Sequence, residues 1–447
     1  MRMMKKASGK NFSWLFTGNL IYSLSQWGMV VLLAKLGSPA MVGQYVLALS
    51  ITAPVILFAN FQLRDFQATD ASNQYSFQQY LTLRLLSMTA VFLLILAVTA
   101  FIPLSLNTLL VVWFVCAAKM VESVSDIYFG LFQRNEKMEY VGKSMILKGL
   151  SSVLVLGISV YLTQSIAAGA LALVLAWLGI LLFYDMKNGA AMLHSVSAEG
   201  RLKKGRLMSL WKDFGKGERS TLKGLLLLVL PLGITATLDS LNSSIPRYFL
   251  QHIGGEEALG YYSAIAYIMM AGGTFVNAMT QASSPRLSRY YRDNLQRFKR
   301  LLLQIMGLCL LLGLAGLSAA YFMGEFLLSL LYSPDYAAYN NVFIIIMLAS
   351  TLWYMTGCLS AALTVSRYIK LQIPVFLLTC LSIIASSFLL IPVYGATGAA
   401  WSICIGMGTR FVCSFALVLH ALSRQAALAK QAEQREARIA LGDIARG

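Results

Sequence analysis

VGQYVLALSITAPVILFAN, residues Val42–Asn60, runs without a single charged side chain. An apolar run near 20 residues is long enough to cross a bilayer core about 30 Å thick. Inside that core the backbone must satisfy its own hydrogen bonds, so the run reads as a helix. The pattern returns as LGYYSAIAYIMMAGGTFVN, residues Leu259–Asn277. At a constant offset of 217, Gly43 matches Gly260, Tyr45 matches Tyr262, Ile51 matches Ile268, Phe58 matches Phe275 and Asn60 matches Asn277. A weaker echo pairs Ala167, Gly169 and Ala170 with Ala396, Gly398 and Ala399.

Outward from this repeat, similar runs fill the chain. Hydrophobic residues make up 58% of the 447 positions and charged residues 12%, against roughly 25% charged in an ordinary soluble domain. The pattern predicts spans at roughly 12–36, 41–62, 79–102, 108–131, 141–163, 166–186, 221–244, 259–281, 300–323, 341–364, 371–391 and 395–422. Each half holds an even number of crossings, so the repeats enter from the same side and are parallel. The expected fold is an all-α integral membrane protein, with about 12 transmembrane helices in two parallel six-helix bundles around a central cavity. The expected units are an N-terminal lobe 1–186, a basic linker 187–220, a C-terminal lobe 221–422 and a tail 423–447. The first apolar segment, Phe12–Leu36, exceeds the 7–15 residues of a cleavable signal core, so it reads as an uncleaved first helix.

Lysine and arginine set the predicted orientation. With the N-terminus in the cytoplasm, 29 of the 36 basic residues fall at inner segments and one, Arg247, in an outer loop. Basic residues are retained on the cytoplasmic side, which predicts a multi-pass protein of a cytoplasmic membrane with both termini inside. The formal net charge of +17 is then a product of topology and calls for no nucleic acid. The Arg201–Arg219 stretch would also attract anionic membrane lipids. The longest predicted outer loops, Ile245–Ala258 and Gly324–Asn340, are too short to house an extracytoplasmic domain.

No enzyme signature is visible: the chain lacks GxSxG, a Walker A loop and HExxH. His194, His252 and His420 are scattered near span ends, and all six cysteines fall within apolar spans as small packing residues. No catalytic residue, metal site or cofactor is therefore expected. Two six-helix lobes around a shared cavity is a transporter architecture.

Several segments together resemble one family. They are NFQLRDFQATDASNQYSFQQYLTLR (Asn60–Arg84), GLFQRNEKMEYVGKSMILKG (Gly130–Gly149), LDSLNSSIPRYFLQHIGGEEALGYYSAIAY (Leu238–Tyr267), QASSPRLSRYY (Gln281–Tyr291), LLYSPDYAAY (Leu330–Tyr339) and IPVYGATGAAW (Ile391–Trp401). In this order the chain resembles the bacterial Wzx-like polysaccharide flippases of the multidrug/oligosaccharidyl-lipid/polysaccharide exporter superfamily. The resemblance implies two six-helix bundles around a V-shaped cavity. It implies a lipid-linked oligosaccharide, joined by pyrophosphate to a polyprenyl lipid, turned from the inner to the outer leaflet by alternating access. It also implies a pathway shared with a polysaccharide polymerase and glycosyltransferases.

Charges within spans are the candidate site, because each costs about 2.5–3.5 kcal/mol at a helix centre. Lys119, Glu122 and Asp126 share one helical face at i, i+3, i+7. They read either as a self-neutralising stripe or as a cavity wall, where the lysine meets substrate and a carboxylate titrates. Lys148 and Arg410 are the other deep cations, and Arg84 lies inside span three, where it could also snorkel to the interface. Thr235, Asp239 and Asn242 share a second face near Arg247; Asp239 pairing with Arg247 would make a latch or an outer gate. Asn60, Asn277 and Gln281 lie at repeat-related inner ends, where amides bind sugar hydroxyls or neighbouring helices. Arg64 and Arg286 follow at the inner mouth as candidate pyrophosphate contacts.

Three other functions compete. A cation-coupled drug antiporter of the same superfamily calls for a carboxylate-dominated cavity, and the balance of deep cations argues against it. A membrane-embedded glycan polymerase calls for a large outer loop or a catalytic constellation. A scaffold for polysaccharide assembly would need neither.

Overall fold

The computed structural model describes residues 2–70, 74–196 and 219–444, and among them there is no strand. The first half comprises α1 (Arg2–Leu36), α2 (Pro39–Asn60), the short α3 (Leu63–Thr69), α4 (Phe77–Thr99), α5 (Leu106–Arg134), α6 (Met138–Thr163) and α7 (Ile166–Ile180). A π turn, Leu181–Asp185, joins α7 to α8 (Met186–Val196). The second half comprises α9 (Arg219–Asp293), α10 (Leu295–Leu331), a 3-10 turn at Pro334–Tyr339, α11 (Asn340–Val365) and α12 (Ile369–Ile444).

Local chemistry sets the helix starts. The first N–H groups of a helix lack partners, and serine supplies them here. Ser38 accepts from Met41 N with Pro39 at the first helical position. Ser76 and Gln79 form a reciprocal capping box at α4. Ser105 and Ser165 cap α5 and α7. Two long helices turn back on themselves where glycine adopts a positive φ: α9 at Gly255 (φ 72°) and α12 at Gly395 (φ 53°).

Nine helices among the described residues are long and apolar enough to cross a membrane. The two doubled helices are among them and count twice. The more polar α1, which carries Asn19, Ser23, Ser25 and Gln26, lies along α6; counted with them it matches the twelve crossings expected from the sequence. Large apolar side chains cover the outside; Phe183 and Phe322 are each 80% exposed. Such a belt would aggregate in water and fits a lipid boundary.

The predicted outer loop Ile245–Ala258 needs a correction: most of it is helical, and α9 breaks within it only at Gly255. That single positive φ suffices for the turn, and Arg247 therefore sits on a helix. The basic linker, apart from Arg219 and the α8 end, lies outside the described residues, as does the end of the tail.

The turns at Ser38, Gly255 and Gly395 mark one end of the molecule, here the far end. A buried core there joins both halves, with Met29, Val42 and Tyr45 beside Tyr262, Ala264, Ile346 and Ala400. At the opposite, near end there are two cores, one around Tyr80, Phe129 and Phe132, which Leu225 and Val229 of α9 join, and one around Phe298, Cys358 and Leu359 within the second half. In the second of these, the free thiols of Cys309 and Cys358 lie 3.2 Å apart.

Candidate functional site: a cavity between the bundles

A cavity of about 620 Å³ lies between the two halves. From the first half it is lined by Gln26 of α1, Thr52 and Asn60 of α2, and Lys119, Glu122, Ser123 and Asp126 of α5. The second half contributes Asp239, Asn242, Arg247, Tyr267, Trp353 and Arg410 with apolar neighbours. Helical spacing puts Lys119, Glu122 and Asp126 on one wall, as the sequence pattern predicts.

Each carboxylate of the wall is held by a cation. Lys119 Nζ lies 2.8 Å from Glu122 Oε2, and the Tyr22 hydroxyl donates to the other oxygen of Glu122. Arg64 Nη1 lies 3.2 Å from Asp126 Oδ1, and Arg64 Nε donates to Gln133 Oε1. Arg410 Nη1 lies 2.8 Å from Asp239 Oδ1, with its guanidinium 4.3 Å from the Phe376 ring centroid. The expected partnership of Asp239 with Arg247 is thus replaced by one with Arg410. The Thr235 side chain lies outside those described.

Arg247 has no carboxylate partner among the described residues. It reaches Ser50 Oγ at 3.5 Å and stands 6.0 Å from the Tyr267 ring centroid. Its neighbour Tyr248 donates to the Ser50 carbonyl. Pro54 explains why that acceptor is free: it has no N–H to return to Ser50, four residues back. A sequence feature of α2 thereby creates a docking point for the other half.

Several predicted cavity residues lie elsewhere. Lys148 pairs with Asp185 at 3.2 Å, with side chains 1% and 0% exposed, and packs over Phe129. It does not line the cavity because the π turn before α8 delivers Asp185 to it inside the first bundle. Arg84 is fully buried and donates to Asn60 Oδ1, so Asn60 reaches the cavity already engaged by a cation. Asn277, Gln281 and Arg286 are exposed and off the cavity wall.

Sequence reasoning missed Asp185, which sits at the edge of a predicted span, and Glu256, which sits in a predicted loop. A buried lysine at 148 was the available signal for Asp185, since such a charge demands a counter-ion. Glu256 closes the far end: Gln44 Nε2 donates to it at 2.8 Å and Thr108 Oγ1 at 2.5 Å, while Asn107 donates to Gln44 Oε1 at 3.3 Å. Nearby, Trp27 Nε1 of the first half donates to the Tyr332 hydroxyl of the second at 3.2 Å. Among the described residues no three His, Cys, Asp or Glu side chains stand together as a metal site.

Residues 8–291 match the family described as "Polysaccharide biosynthesis protein". The capsular polysaccharide biosynthesis protein CapF of Staphylococcus aureus is 28% identical over 400 residues, which span 89% of this chain and 95% of that protein. Among solved structures, an inward-facing multidrug resistance MATE family transporter of the MOP superfamily superposes with a TM-score of 0.71 at 14% identity, covering 92% of this chain and 96% of that one. The lipid II flippase MurJ, in an inward closed conformation, superposes at 0.69 with 12% identity, covering 92% and 90%. At these identities the structures share a fold.

Proposed function

The chain belongs to the polysaccharide biosynthesis protein family, and from that membership we propose that it flips a lipid-linked oligosaccharide from the inner to the outer leaflet by alternating access. The carrying observation is Arg247: every carboxylate on the cavity wall already holds a cation, and Arg247 is left over. A surplus guanidinium in a low-dielectric chamber favours an anionic cargo, and its fork suits a phosphate bidentately. A polyprenyl pyrophosphate headgroup has that chemistry, and its tail would stay in lipid. The same pairing disfavours a cationic drug, which would have to displace Lys119, Arg64 or Arg410 from its carboxylate.

The shared far-end core and the Glu256 hydrogen bonds support a resting state closed at that end. With the basic segments cytoplasmic, both termini are inside and the cavity receives cargo from the inner leaflet. The two lobes, 1–186 and 221–422, then rock about the cavity. Arg64 and Asn60 line the way in, and Glu122, Asp126 and Asp239 are the groups available for ion coupling. Adjacent glycosyltransferases would supply the cargo, and a polymerase would consume it.

The test is surface polymer in cells whose own copy is deleted. Arg247→Ala and Arg410→Ala should each cut export at least tenfold at wild-type protein level, while Asn277→Ala and Gln281→Ala should leave it unchanged. Full export by both arginine variants would sink the proposal.

A further inference from the structure

The charges of the cavity account for an anion; its amides carry separate information. Asn242 lines the cavity from the 219–254 limb of α9, yet it is 1% exposed. Neither its Oδ1 nor its Nδ2 has a hydrogen-bond partner among the described residues. Gln26 of α1 lines the same cavity from the other half, and its Nε2 is likewise unpartnered. Buried polar side chains are nearly always paired, and an unpaired one destabilises the fold that keeps it.

The chemistry of the missing partner can be read from the amide. It presents a carbonyl acceptor and an NH₂ donor side by side. A phosphate only accepts and would leave Oδ1 unpaired. An ammonium only donates and would leave Nδ2 unpaired. A hydroxyl pair on a sugar ring does both and carries no charge. Position agrees: at 1.5 Å per residue, Asn242 lies roughly 7 Å along the helix from Arg247 and about 4.5 Å from Asp239. A sugar at Asn242 is therefore one ring away from an anion at Arg247. Asn60, the more obvious amide, is already taken by Arg84.

We infer that Asn242, with Gln26 across the cavity, reads the hydroxyl groups of the first sugar of the cargo and so sets sugar specificity. The inference rests on the flippase reading and adds a division of labour within it, charge for the arginines and hydroxyl geometry for the amides.

The experiment measures thermal unfolding of the purified protein in detergent with two probes: undecaprenyl pyrophosphate, and the same lipid carrying N-acetylglucosamine. Wild type should bind the sugar-bearing lipid about tenfold more tightly, the effect of two hydrogen bonds. Asn242→Leu, which removes the unpaired amide, should unfold at a higher temperature than wild type without ligand. It should also lose the sugar increment, so that its affinities for the two lipids become equal. Asn242→Gln should weaken the increment in part. An Asn242→Leu variant that keeps the full increment, or a wild type without one, overturns the inference; the amide would then be met by water alone. A wild type that binds neither lipid overturns the flippase reading itself.

Discussion

Gly43 and Gly260, matched across the sequence repeat, pack against each other's helix starts. A Cβ at Gly43 would run into the Glu256 carbonyl, and one at Gly260 would run into the Pro39 carbonyl. Pro39 and Glu256 are themselves separated by the repeat offset of 217. The contact is thus reciprocal, the signature of a two-fold relation, here between halves of one chain. It places a pseudo-two-fold axis at the far end, between α2 and the 256–293 limb of α9.

Adding a side chain at either glycine should wedge the far end open. Gly43→Val or Gly260→Val should cost about 1–3 kcal/mol of packing. It should also speed labelling of a Ser244→Cys reporter, at a position that lines the cavity, by an impermeant thiol reagent applied from the far side. Unchanged labelling with unchanged melting would show that the crossing has slack.

Glu256 makes the same junction polar. Hydrogen bonds to a charged group contribute about 1.5–3 kcal/mol, so Glu256→Ala should loosen the far end. A double-mutant cycle with Gln44→Ala should return a coupling energy of at least 1 kcal/mol. Additive effects on unfolding would deny the Gln44–Glu256 contact.

The Lys148–Asp185 pair is dry and belongs to the first bundle. Removing one partner strands the other charge, at about 3–5 kcal/mol. Lys148→Met and Asp185→Leu should therefore each melt well below wild type. The double variant should recover most of the loss, with polymer export restored. Stable folding without export would give the pair a transport role instead.

Tyr248 and Pro54 should be energetically linked. Tyr248→Phe strands the Ser50 carbonyl, at about 1–3 kcal/mol. Pro54→Ala returns an N–H to that carbonyl, so Tyr248→Phe should cost much less in its presence. Equal costs in both backgrounds, measured by denaturation, would remove Pro54 from the account.

The features legible in the sequence were those set locally. Span count, the Lys119–Glu122–Asp126 face and the glycines of the repeat follow from helical period and the cost of charge in lipid. The partners were not legible, because pairing is decided between helices. Lys148 and Arg410 look alike in sequence, yet one meets Asp185 inside a bundle and the other meets Asp239 at the cavity. Repeat symmetry also misled: Asn60 suggests a role for Asn277, but the repeat position of Arg84, which engages Asn60, is Leu301. Gln26 and Asn242 stand in apolar runs with nothing to distinguish them from amides that bridge helices.

Pre-paired carboxylates leave the empty cavity net positive, with Arg247 unpaired on its wall and Arg84 buried behind Asn60. On the flippase reading, a pyrophosphate diester would bring two negative charges, so loading would shift the cavity's charge by two. Outward passage of that charge runs with an inside-negative membrane voltage, at about 2.3 kcal/mol per charge per 100 mV. Return of the empty, positive cavity to the inner side gains from the same field. On that reading flipping should be electrogenic over the full cycle, accelerating in vesicles as a potassium diffusion potential is raised and slowing when it is collapsed.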